Sequence, residues 1–139
     1  MQLNLTLAAV DLQKTENFYR EVLLLSPQFI HNSHAEKCYL LLIFGDLKIT
    51  FQRLQDVEAQ HPVLLQNLTR VPLGVGVQLE MSCNNLDDIY SRAHYFNWPL
   101  AYELEDREHH RRELWLQDPD GYLLILNEEK DENRKTLIE

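Results

Sequence analysis

Leu3, Leu5 and Leu7 alternate with Asn4, Thr6 and Ala8, the period of two that marks a strand with one apolar face. A first strand is expected over about residues 2–10. The period then lengthens. In 15–24, Phe18, Tyr19, Val22 and Leu23 fall at helical spacing, with Thr15 the expected N-cap ahead of Glu16. Short apolar runs at 29–31, 38–44 and 47–54 are separated by polar residues or by Gly45-Asp46, which predicts three further strands. Residues 1–54 therefore read as one βαβββ module.

Residues 55–73 contain Pro62 and Pro72 and no strand period, as in a connecting segment with a helical turn. The first pattern then recurs over 74–128. Val75, Val77, Leu79 and Met81 alternate with Gly76, Gln78, Glu80 and Ser82. Leu86, Ile89, Tyr90 and Ala93 mark a helix whose cap is expected to pair Asn85 with Asp88. Strands are expected near 100–104, 113–117 and 122–127, the last two joined by the strong turn Asp118-Pro119-Asp120-Gly121. Two tandem βαβββ modules define an α+β fold by internal duplication of pattern. The charge-rich residues 129–139 read as a frayed or partly helical tail.

Composition narrows the function classes. The 139 residues are 45% hydrophobic and 25% charged, ordinary for a globular chain that needs no staples. No stretch approaches the roughly 18 apolar residues of a membrane helix, and the N-terminus lacks the basic and apolar regions of a signal peptide. A soluble, cytoplasmic protein is expected, with no membrane partner. Cys38 and Cys83 have no CxxC spacing and read as buried free thiols. A net charge of −9 disfavours nucleic acid, whose binding needs clustered Lys and Arg.

Val10-Asp11-Leu12, then Phe18-Tyr19 and Val22-Leu23, resembles the start of the glyoxalase, bleomycin-resistance and extradiol-dioxygenase superfamily, the vicinal oxygen chelate proteins. Arg112, Leu114, Leu116 and Asp118-Pro119-Asp120-Gly121-Tyr122 resemble that family's closing hairpin, and the order of elements matches across almost the whole chain. The resemblance implies curved mixed sheets around a cavity, helices on the outer face, and a homodimer. In metal-dependent members it also implies ligands in the first, fourth, fifth and last strands. Those places fall on Asn4, Gln52, Gln78 and Ile125. Neutral amides are weak donors and Ile is none, so no metal or other cofactor is expected.

Alternation points to what would replace a metal. Asn4 and Thr6, Lys48, Thr50 and Gln52, and Gln78, Glu80 and Ser82 all lie opposite apolar faces. In the resembling fold that side lines the cavity; a solvated face or a dimer contact would show the same alternation. Trp115 shares a side with Glu113 and Gln117 and could wall a ring or a cation, or pack in the core. Trp98, Phe96 and Tyr95 suit core or interface. Arg112, by resemblance, orients an anionic group or braces the hairpin. The ligand-binding set expected is thus Asn4, Thr6, Thr50, Gln52, Gln78, Glu80, Arg112 and Trp115.

Other chemistry is sparse. Adjacent His109 and His110 point to opposite sides of a strand and sit among Glu105-Asp106-Arg107-Glu108 and Arg111-Arg112, a solvated, mixed-charge hairpin loop. There is no nucleophile elbow and no phosphate-binding glycine pattern, so no catalytic residue is assigned. The leading expectation is a small-molecule-binding protein without catalytic metal, sequestering a toxic or antibiotic compound. Glu80 and the acidic charge would suit a cationic ligand. One alternative is a metal-dependent lyase or dioxygenase with displaced ligands, Glu80 with one or more of His31, His34 and His94. Another is an interaction module with no ligand.

Overall fold

A computed structural model of the chain describes residues 1–32, 37–65 and 68–128. The first module runs β1 (Leu3–Ala9), α1 (Leu12–Asn17), a π-helical turn (Phe18–Val22), β2 (Gln28–Asn32), β3 (Lys37–Phe44) and β4 (Leu47–Arg53). The connecting stretch holds α2 (Leu54–Gln60), α3 (Pro62–Leu65) and a 3-10 turn (Leu68–Arg70), more helix than the single turn expected. The second module runs β5 (Gln78–Cys83), α4 (Leu86–Tyr95), β6 (Leu100–Asp106), β7 (Arg111–Gln117) and β8 (Leu123–Glu128). The expected tail, 129–139, lies outside the described residues.

Each module forms a four-stranded mixed sheet, in the order β1-β4-β3-β2 and β5-β8-β7-β6. β1 runs parallel to β4 and β5 parallel to β8, while the remaining pairs are antiparallel. The duplication read from the pattern is therefore a duplication of topology. β1 and β5 are both edge strands, and neither carries a partner on its outer side among the described residues.

Several local details differ from the sequence reading. The first helix starts earlier, because Asp11 rather than Thr15 caps it: Gln13 N and Lys14 N donate to Asp11 Oδ1 at 3.0 and 3.2 Å. Thr15 is instead buried, its hydroxyl donating to the Asp11 carbonyl at 3.1 Å. The same helix then widens at Phe18–Val22, where Leu23 N donates to the Phe18 carbonyl, and stops at Leu24, whose φ is 57°. Widening lets Phe18, Tyr19, Val22 and Leu23 all bury. At α4, Asn85 occupies the cap position but makes no side-chain cap bond.

The fifth strand begins at Gln78, not Val75. Residues 72–77 form a turn in which Val75 N donates to the Pro72 carbonyl and Val77 N to that of Gly74, both at 3.1 Å. Gly74 is wedged there against the other turn of the module: a Cβ on it would lie 2.0 Å from the Gly121 carbonyl oxygen. Backbone-to-backbone packing at this point excludes any side chain.

One buried cluster runs through both halves, joining Leu7, Phe18, Tyr19, Leu40 and Phe51 to Leu86, Ile89, Leu114, Leu116 and Leu124. The helical side of one module meets α4 of the other, and polar bonds cross the same junction. The Tyr19 hydroxyl donates to Asp118 Oδ2 (2.9 Å), the Tyr122 hydroxyl to the Ala8 carbonyl (2.9 Å), and Val10 N to Asp120 Oδ1 (3.1 Å). Cys38 and Cys83 are free and half-buried rather than fully buried. No helix among the described residues is long and apolar enough to cross a membrane.

Candidate functional site

Strand pairing fixes which side chains share a face. On the first sheet, Asn4 lies opposite Lys48, Thr6 opposite Thr50, and Ala8 opposite Gln52. The row continues from Thr50 to Leu41 and from Gln52 to Tyr39. The Thr6 and Thr50 hydroxyls share a hydrogen bond of 3.2 Å. Gln60 of α2 donates to Gln52 Oε1 at 2.8 Å, so the connecting helix borders this polar face.

On the second sheet, Gln78, Glu80 and Ser82 lie opposite Leu123, Ile125 and Asn127. Trp115 then lies opposite Ile125, Glu113 opposite Asn127, and Tyr102 opposite Trp115. Here the side chains form a network. Glu113, only 7% exposed, accepts from Arg111 Nη2 at 2.7 Å and, through its other oxygen, from Trp115 Nε1 at 3.1 Å. The Arg111 hydrogen bond, then that from Trp115, holds the Glu113 carboxyl below its ordinary range. Tyr102 stands edge-on to Trp115 with ring centroids 5.1 Å apart. Asn127 donates its amide hydrogen to Glu80, while its buried Oδ1 has no partner among the described residues.

Seven of the eight expected residues therefore lie on two polar faces, Asn4, Thr6, Thr50 and Gln52 on one and Gln78, Glu80 and Trp115 on the other. Arg112 does not. It shares a side with Leu114 and Leu116, toward the helices, and its Nη1 donates to Asp87 of α4. This contact raises its already high pKa and braces the hairpin against the helix. Glu113, Asn127, Tyr102 and Arg111 are the members of the second face that the sequence reading did not select. Alternation around Trp115 was the signal for Glu113.

The residues at the family's metal-ligand places do not fit a metal. Asn4 and Gln52 stand four residues apart along the β1-β4 ladder, about 13 Å at about 3.3 Å per residue. The residue that does face Asn4 is the cation Lys48. Ile125 is apolar and 8% exposed. Among the described residues no three His, Cys, Asp or Glu side chains gather in a way that could hold an ion. Of the displaced set, Glu80 is on β5, His31 on β2 of the other sheet, and His94 on α4, against the Tyr90 ring; His34 lies outside the described residues. His109 donates from its backbone to Asp106 Oδ1 at 3.1 Å and its ring is 2.8 Å from Oδ2, which closes the exposed hairpin turn.

Two clefts accompany these surfaces. One of about 630 Å³ lies at the foot of the second polar face, bordered by Gln78, Gln117, Leu123 and the turn at 72–77. Another, of about 720 Å³, lies between the helices of the two modules.

No protein-family model matches the chain, and no curated protein matches it. Solved structures do. A glyoxalase-related enzyme from Fulvimarina pelagi aligns over 93% of this chain and 88% of its own, with TM-score 0.68 and 14% identity. A glyoxalase/bleomycin resistance protein/dioxygenase from Nocardioides aligns over 92% and 82%, with TM-score 0.64 and 14% identity. Lactoylglutathione lyase from Agrobacterium tumefaciens aligns over 92% of both chains, with TM-score 0.62 and 15% identity. At such identities the likeness is one of fold, shared with structures described as a lactoylglutathione lyase, a glyoxalase-related enzyme and a glyoxalase/bleomycin resistance protein/dioxygenase.

Proposed function

We propose that the protein binds a small organic molecule on the polar faces of its sheets without a catalytic metal, sequestering a toxic or antibiotic compound. The observation that carries the reading is the Glu113-Trp115-Tyr102 arrangement. A largely buried carboxylate spends one oxygen on the indole N–H, which holds the ring in place before any ligand arrives. Glu80 stands on the same face, so among the described residues of this face the carboxylates of Glu80 and Glu113 outnumber the cation Arg111. An aromatic wall beside net negative charge suits a flat cationic ligand. Asn4, Thr6, Thr50, Gln52 and Gln78 supply donors and acceptors, and Arg112 contributes by bracing the hairpin.

The protein would act as a homodimer. Asn4, Thr6, Gln78, Glu80 and Ser82 are exposed in the single chain, and edge strands β1 and β5 are open to a second copy. Pairing two copies would enclose faces that one copy leaves open.

The test is elemental analysis of protein purified without chelator, followed by a screen of cationic aromatic compounds read by tryptophan fluorescence. Near-zero metal and a ligand whose binding is lost in Trp115→Ala is the expected result. About one tightly held transition metal per chain, lost with chelator and indifferent to alanine at Asn4, Gln52 and Gln78, would overturn it in favour of a lyase or dioxygenase.

A further inference from the structure

We propose that the cleft between the helices of the two modules is a second small-molecule site, separate from the polar sheet faces, which takes a planar aromatic carboxylate. Its volume of about 720 Å³ lies within the range of about 300–1,000 Å³ typical of ligand pockets. Trp98 walls it, backed by the buried Phe18 with ring centroids 4.7 Å apart and planes tilted by 41°. The Trp98 indole is fixed because its Nε1 donates to the Gln117 carbonyl at 2.9 Å. Phe96 and Tyr95 also line the cleft and remain 41% and 76% exposed. Covering these exposed rings with a ligand ring removes apolar surface from water, which is favourable.

The charges select the ligand's polar end. Lys14 lines the cleft and has no ion pair among the described residues. Arg92 stands over the Phe96 ring at 5.0 Å, with Nε on the Glu21 carbonyl at 2.7 Å and Nη2 on Glu21 Oε2 at 2.6 Å. That leaves Nη1 without a partner among the described residues. Two cations against the one carboxylate of Glu21 make this lining net positive in a chain of net charge −9. Aromatic walls beside a lysine and an anchored guanidinium fit a flat ring bearing a carboxylate, which Arg recognises through its planar fork. The sheet face around Glu80 and Glu113 has the opposite preference, so the two sites would not compete.

The test uses 2-naphthoate and the uncharged 2-naphthamide with the full chain, binding being followed by Trp98 quenching in Trp115→Phe and by amide chemical shifts in the unaltered protein. Naphthoate should bind equally to both proteins, shift amides of residues 14–22 and 92–98, and weaken at least about tenfold in Lys14→Glu, the loss expected for one charge-assisted hydrogen bond. Lys14 is exposed, so that substitution leaves folding intact; Phe96→Ala should weaken both compounds alike. Equal affinity for acid and amide, indifference to Lys14→Glu, loss of binding in Trp115→Phe, or no binding at millimolar probe would each overturn the proposal.

Discussion

Asp118 is 4% exposed at the junction of the two modules, and replacing it with Asn isolates the cost of its charge. The carboxylate accepts hydrogen bonds from Tyr122 N (3.0 Å) and Asp120 N (2.9 Å) on one oxygen and from the Tyr19 hydroxyl (2.9 Å) on the other. Burial nevertheless outweighs these bonds and pushes its pKa up to about 6. An unfolded Asp titrates near about 3.9, so the shift of about two units is worth about 3 kcal/mol. The folded state binds this proton more tightly than the unfolded chain does. Its contribution is therefore full below about pH 4 and lost as pH rises through about 6. An amide in its place cannot titrate. In urea melts from pH 4 to 7.5, Asp118→Asn should gain about 3 kcal/mol on the unaltered protein across that window. A flat difference, or one favouring Asp118 at neutral pH, would show that the three hydrogen bonds outweigh desolvation and would refute the reasoning.

Other expectations concern single contacts. Gly74→Ala would set a Cβ 2.0 Å from the Gly121 carbonyl oxygen and should lower stability by more than about 3 kcal/mol in a thermal melt. Tyr122→Phe leaves the buried Ala8 carbonyl without its hydroxyl donor and should cost about 1–2 kcal/mol in urea unfolding. Leu24 sits at φ 57° and is exposed, so Leu24→Gly should raise stability by about 1 kcal/mol in the same urea assay. Arg112→Ala breaks an ion pair whose Asp87 side chain is 83% exposed. It should change stability by less than about 1 kcal/mol and leave the fluorescence of Trp115, which lies on the other face, unchanged.

Period-two alternation made the strands legible because one face of each is buried, and the same parity sorted Thr6, Thr50 and Glu80 onto polar faces. It also places Arg112 with Leu114 and Leu116, on the helical side, where it meets Asp87; the resemblance had implied either an anionic-group contact or a brace on the hairpin. Local contests for backbone donors were less legible. Asp11 and Thr15 are both good caps, and the chain uses Asp11 while burying Thr15. The alternation from Val75 to Met81 fits a strand, yet Gly74 must pack against Gly121 and the chain turns there first. The widened turn at Phe18–Val22 comes from tertiary demand on four apolar side chains, which periodicity alone does not encode. Strand register was likewise beyond single-sequence reading, so the distance between Asn4 and Gln52 emerged only from the β1-β4 pairing.

The buried cluster that runs through both halves makes the repeat a unit of pattern rather than of autonomy. A fragment carrying one βαβββ segment would present Phe18 and Tyr19, or Leu86 and Ile89, to water where the other half now covers them, and would lose the bonds that Tyr19 and Tyr122 make across the junction. Each fragment is thus the missing half of the other's interior. Unfolding should be a single cooperative event, and a chain severed in its connecting stretch should regain structure only when both pieces are mixed.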